Sequence, residues 1–194
     1  MIIILFIILA VPVGYLLGGK LGNVRYYTTR ALGLPVAALL LEAAAPFLRT
    51  LISAPVSQWQ WMFVTAEYLL LFLFCFLNIK SKAVWMILAA CVLNFFVIAI
   101  NGFQMPIAPF AREMPDMAAT LARVESGEYF RYTIARAGDP FWFLGDVILI
   151  PVRRIGGFAS VGDLLLGIGS AALFIGWMRL KKPDVKTNGS DPAA

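Results

Sequence analysis

Six side chains carry chemistry where the surrounding sequence is apolar: Glu42, Glu67, Asn94, Asn101, Asp146 and Asp163. Carboxyl groups held away from water can bind a cation, carry a proton or hold an arginine. Two of them sit in matching phrases, Phe143-Leu144-Gly145-Asp146-Val147-Ile148-Leu149 and Ser160-Val161-Gly162-Asp163-Leu164-Leu165-Leu166. Each phrase puts Gly-Asp in front of an apolar run. Arg153 and Arg154 lie between the two phrases, which raises the prospect that the two carboxylates meet. Each polar residue also has a plainer reading. An aspartate after glycine and before an apolar run is first of all a helix N-cap, and Asn or a protonated Glu inside a span serves as glue between helices.

Other chemistries are excluded by residue type. There is no histidine, so the usual general base and the commonest metal ligand are missing. Cys75 and Cys91 lie inside apolar runs without a CxxC spacing and read as small buried hydrophobes. No Walker loop, GxSxG or HExxH occurs, no cofactor or metal is implied, and no basic-aromatic alternation suits a nucleic acid.

The elements that must position the six residues are membrane helices. Of the 194 residues, 61% are hydrophobic and 14% charged, against about 25% charged in a soluble domain. Mean hydropathy is +0.83. The pattern predicts an all-α protein with five transmembrane helices, at about 2–19, 31–52, 59–78, 84–101 and 161–178, within one membrane domain of residues 1–182. Residues 183–194 read as a disordered cytoplasmic tail. The first span is short. The net charge of +5 follows the membrane sides. The three pieces placed in the cytoplasm carry nine basic residues and two acids, and every lysine falls there. By the positive-inside rule the N-terminus is then outside and the C-terminus inside.

Glu42 then lies about 16 Å along the second helix, near the bilayer middle, and Glu67 roughly 10 Å inside the outer end of the third. An acid at the middle costs roughly 2.5–3.5 kcal/mol, so it should face protein or water. Pro46, four residues after Glu42, deprives the Glu42 carbonyl of its helical donor, and Arg49 is within reach of a pairing. Asn94 and Asn101, seven apart, share one face of the fourth helix. Trp59 and Trp61 suit an outer aromatic belt, and Gly162, Gly167, Gly169 and Gly176 suit close helix packing. Residues 102–160 form a long extracytoplasmic segment. Met114, Met117, Leu121 and Val124 mark an amphipathic helix in it, capped by Asp116 and ended by Gly127. Gly138-Asp139-Pro140 signals a turn. Phe141 to Val152 spans only ~18 Å as a helix and reads as a re-entrant or interfacial helix, started by Asp146 and stopped at Pro151.

Gly18-Gly19-Lys20-Leu21, Asn94, Asn101-Gly102 with Met105-Pro106, Leu144-Gly145-Asp146 with Pro151, and Ser160-Val161-Gly162-Asp163 with Gly169 together resemble a family of bacterial membrane proteins known only as domain of unknown function 5317. Phe103 departs from it, since the family pattern has a second glycine there. The resemblance implies a multi-pass protein of the bacterial plasma membrane and carries no activity. Three functions then compete. The first is a non-enzymatic scaffold or accessory subunit, docking another membrane protein or a second copy through its outer segment. The second is a transporter or lipid-binding protein with a polar site in the outer half of the bundle. The third is a membrane-lipid enzyme, which needs two acids close together in a lipid-accessible cleft.

Overall fold

The computed structural model describes residues 2–136, 138–150 and 157–181. In chain order the elements are α1 (Ile2–Leu16), α2 (Gly33–Leu51), α3 (Val56–Leu77), α4 (Lys82–Ile100), β1 (Met105–Ile107), α5 (Ala118–Glu125), β2 (Tyr132–Ile134), β3 (Ile148–Ile150), β4 (Gly157–Ala159) and α6 (Val161–Met178). Four helices, α2, α3, α4 and α6, are long and apolar enough to cross a membrane. The apolar α1 has 15 residues and falls short of that length. Pro151, Arg153, Arg154 and the tail at 183–194 lie outside the described residues.

The long helices form a row in which α2 packs on α3, α3 on α4, α4 on α6 and α6 on α1. Glycines set the closeness of α6. A Cβ on Gly167 would stand 2.3 Å from the Phe6 ring, and one on Gly169 would stand 2.8 Å from Ile87. Gly176 has nothing within 4 Å and plays no such part. At the far end Met178 is clasped by the turn after α1. The Lys20 N–H donates to its carbonyl at 2.8 Å and Asn23 Nδ2 at 2.9 Å, and a Cβ on Gly19 would stand 2.9 Å from Met178 Cβ. Trp59 does not stand in a surface belt. Its ring meets Phe63 and Phe130 edge-on at 6.2 and 5.1 Å and is buried with them, whereas Trp61 is exposed.

The segment between α4 and α6 corrects the all-α expectation. It holds two small sheets, β1 paired parallel to β2 and β3 paired antiparallel to β4. A parallel pair needs a crossover, and here that crossover carries α5. Leu121 and Val124 of α5 pack with Ile107 and Ile134 of the strands, and Met117 closes the cluster. Asp116 is not the cap of that helix: it lies in a 3-10 turn, Pro115–Met117, and no side chain caps α5. Gly127 does end it, at φ +72. The turn at Gly138-Asp139 also forms, with Asp139 Oδ2 accepting from the Arg136 N–H at 2.7 Å.

No re-entrant helix forms at Phe141. A 3-10 turn, Trp142–Leu144, leads directly into β3, which pairs with β4 in front of α6. The physical reason lies in Val147-Ile148-Leu149-Ile150, a run of mostly β-branched residues that fits a strand better than a single helical turn. Asp146 therefore starts no helix. It makes a parallel bridge to Ile107. Its N–H donates to the Pro106 carbonyl at 2.8 Å, and its own carbonyl accepts from the Ala108 N–H at 3.0 Å. Gly102 and Phe103 both have left-handed backbones, φ +68 and +61. The second of these is the conformation that glycine adopts freely and phenylalanine does not.

The two Gly-Asp phrases share a steric cause. A Cβ on Gly145 would fall 2.3 Å from the Pro106 carbonyl oxygen, and one on Gly162 would fall 2.0 Å from Asn94 Oδ1. Gly145→Ala and Gly162→Ala are each expected to destabilise by about 1–3 kcal/mol, the usual cost of overpacking. Gly176→Ala, with open space around it, should be neutral or stabilising. Thermal unfolding of the three purified variants checks this.

Candidate functional site

At the start of α6 the chain ties three polar side chains together. Ser160 is the N-cap: its Oγ accepts from the Asp163 N–H at 2.9 Å, while Asp163 Oδ2 accepts from the Ser160 N–H at 3.0 Å. This is a reciprocal capping box, with Asp163 at the third helical position. Asn94 of α4 completes it. Its Nδ2 donates to Asp163 Oδ1 at 2.9 Å, and its Oδ1 accepts from Ser160 Oγ at 2.9 Å. Ser160 is fully buried and Asn94 is 6% exposed.

Asp146 comes up against this group. The carboxyl is 7% exposed, and no donor among the described residues reaches its Oδ1. Burial first, then the neighbouring Asp163 carboxylate, push Asp146 up to about 8. The neutral form of Asp146 is therefore favoured more than in a free aspartate. The two carboxyl groups lie near enough for Asp163 to act on Asp146.

Glu67 of α3 makes an ion pair with Arg131, Oε2 to Nη1 at 2.7 Å, although the approach is off the line of a good hydrogen bond. The pair is nearly buried, with 9% and 16% of the two side chains exposed. Arg131 stays charged: burial opposes the guanidinium charge, and Glu67 more than offsets it. Glu42 does not pair with Arg49, and no ion pair holds it among the described residues. It stands exposed at the tenth of the 19 positions of α2, with Pro46 inside the same helix. Burial, then the carboxylates of Asp146 and Glu42, push the Tyr132 phenol above its usual range.

These groups surround one open cavity of about 540 Å³. Glu42, Glu67, Arg131, Tyr132, Asp146 and Asp163 line its polar end, with Asn94 beside them. The remaining wall is apolar, built from all five long or apolar helices and roofed by Phe103, Met105 and Phe158. Asn101 stays out of it. Its Nδ2 donates to the Val97 and Pro140 carbonyls at 2.8 and 2.9 Å and fastens the outer segment to the end of α4. Of the motif residues, Met105 lines the cavity, Pro106 receives Asp146, and Gly102, Gly145 and Gly162 shape the backbone around it.

Arg131, Tyr132 and Ser160 were not singled out as site residues from the sequence. Ser160 had a signal, since Ser-x-x-Asp before an apolar run is a capping box. Arg131 lies in Tyr129-Phe130-Arg131-Tyr132, a lone base among aromatics, which marks a buried charge only once its partner is known.

A sequence profile of the family of unknown function DUF5317 matches residues 28–175. The chain belongs to this family. The matched stretch holds every polar cavity residue named above, from Glu42 to Asp163, and leaves out α1 with Gly18-Gly19-Lys20-Leu21. No curated protein and no solved structure matches the chain.

Asp146 sets the pH response. An acid whose folded-state pKa lies above its usual 3.8 takes up a proton on folding across that interval. The contribution of Asp146 to stability is therefore full below about 4, falls as pH rises toward about 8, and levels off above it. Melting temperatures of the detergent-solubilised protein between pH 5 and 9 should show this fall, and Asp146→Asn should flatten it.

Proposed function

We propose that this is a multi-pass membrane protein that takes an amphiphile from the bilayer into the cavity, its polar head among the carboxylates and its tail along the apolar wall. The carrying observation is the cavity. Its volume falls within the roughly 300–1,000 Å³ of small-molecule sites, and its polar groups converge at one end. Its two flanks belong to the two ends of the helix row. Ile3 and Ile7 of α1 stand on one side, and Val36 and Leu39 of α2 on the other. No packing comparable to the other helix pairs joins α1 to α2, which leaves a side entrance at tail depth. In this reading α1 is a short fifth span, in a bacterial plasma membrane. The N-terminus and the segment at 102–160 lie outside, and Lys20, Lys80 and Lys181 mark the inside.

The cavity favours this reading over a scaffold. A scaffold needs an outer docking face, and what distinguishes this fold is the internal space with charges aimed into it. The Asp146–Asp163 pair also meets the requirement of the enzymatic reading, two acids together in an open apolar cleft, and keeps acid–base chemistry on a bound lipid as the second reading.

Protein extracted under mild conditions is expected to retain lipid detectable by mass spectrometry. Ser170→Phe, which fills the cavity from α6, should lose most of it while remaining folded. Retention unchanged by Ser170→Phe would sink the reading, and a stoichiometric protein partner in place of lipid would favour the scaffold. Lipid recovered chemically altered by the wild type but not by Asp146→Asn would favour the enzyme. Orientation is read by labelling of Glu113→Cys and Lys80→Cys in a background lacking Cys75 and Cys91. Both positions are exposed. Glu113→Cys should react from outside intact cells and Lys80→Cys only after permeabilisation.

A further inference from the structure

We infer that the head group taken by this cavity is cationic, and that its binding displaces a proton from Asp146. The inference rests on the amphiphile-binding reading and adds the charge of the ligand. Among the described residues the polar end holds four carboxyl groups, on Glu42, Glu67, Asp146 and Asp163, against one base, Arg131. That base is already engaged by Glu67 at 2.7 Å. Among the described residues, an anionic head would meet Glu42 and Asp163 with no free positive group to receive it. A cationic head finds Glu42 exposed in the cavity wall and in no ion pair with another described residue.

Asp146 supplies the second, independent observation. It is more than nine-tenths buried, lines the cavity, and presents an oxygen that no donor among the described residues satisfies. A buried polar atom left without a partner costs about 1–3 kcal/mol, which a ligand group could recover. The charged and titratable groups around Asp146 are Asp163 on α6, Tyr132 on β2, Arg131 beside β2, Glu42 on α2 and Glu67 on α3. Arg131 is the one cation among these and is committed elsewhere. With the site empty, the neutral form of Asp146 is favoured by burial and by the Asp163 carboxylate. A cation placed between the two carboxyls reverses that preference. The protonated acid and the cation give a carboxylate–cation pair, and the proton leaves to solvent.

The linkage has a definite sign. Below about pH 8 the empty site carries the proton, so a fixed-charge cation must displace it and binds more tightly as pH rises. The affinity gain approaches tenfold per pH unit where one full proton is released, and it stops above about 8.

The test uses the full chain in phosphatidylcholine nanodiscs and three probes of equal chain length: dodecyltrimethylammonium, dodecyl sulfate and dodecyl maltoside. Titration calorimetry at pH 6, 7, 8 and 9, in two buffers of different ionisation enthalpy, reads affinity and proton release together. Protein-free nanodiscs give the partition background. The cation is expected to bind at least about tenfold more tightly than the sulfate, releasing close to one proton at pH 6 and none at pH 9. Asp146→Asn should abolish both the proton release and the pH dependence. Should that variant fail to fold, Glu42→Gln should still weaken the cation and spare the maltoside. Equal or tighter binding of the sulfate, or cation binding without proton release at pH 6, would overturn the inference and leave the cavity as a lipid site of another charge. Failure of all three probes to exceed the background would overturn the amphiphile-binding reading itself.

Discussion

The polar knot of Asn94, Ser160 and Asp163 is the contact on which the arrangement depends. An α-helix begins with backbone N–H groups that lack partners, and α6 begins in a buried place. Ser160 and Asp163 satisfy two of those donors reciprocally, and Asn94 then bonds to both side chains from the neighbouring helix. Every polar side-chain atom in this group has a partner within it. Removing any one leaves others buried and unpaired, which costs more than the lost bond. The knot also fixes register, because Asn94 reaches both side chains only where Gly162 lets the backbone of α6 come against it.

From that fixed point the helices are laid out by glycine. Gly167 admits Phe6 of α1, and Gly169 admits Ile87 of α4, so α6 is gripped on two faces. Without a hydrophobic driving force between helices in lipid, such close packing does much of the holding. Nothing equivalent occurs on α2, whose glycine lies at its first residue and whose interior carries Glu42 and Pro46. The tight side of the row and the loose side thus have different residue chemistry. The cavity lies among all five helices, and α2 contributes to its lining a carboxyl group in mid-helix, that of Glu42.

How much of this is legible in the sequence depends on the length over which a pattern repeats. The long apolar runs locate α2, α3, α4 and α6 to within about three residues. The polar residues inside them are singled out because each is costly in that setting. Asn101 is singled out for the same reason, yet it ends as a fastener of the outer segment. The strands are illegible. Each has three residues, too few for an alternation to show, and each is defined by a partner far along the chain. Asp146 is misread as a cap for this reason: its neighbours in sequence suggest a helix start, while its hydrogen bonds go to Pro106 and Ala108 some forty residues earlier. Glu67 and Arg131 are likewise paired only by tertiary contact, since they stand 64 positions apart in the sequence.

The two aspartates look equivalent in sequence and are made unequal by what surrounds them. Asp163 accepts a backbone N–H on one oxygen and the Asn94 amide on the other. Asp146 accepts nothing on its buried oxygen and faces the charge of Asp163. Burial and the nearby Asp163 carboxylate favour the neutral form of Asp146. The fold thus builds the Asp163 side chain into a helix start and leaves that of Asp146 in the cavity lining without a donor on Oδ1 among the described residues. The backbone of Asp146 is held by Pro106 and Ala108, so its side chain can change partner without breaking the Asn94–Ser160–Asp163 knot.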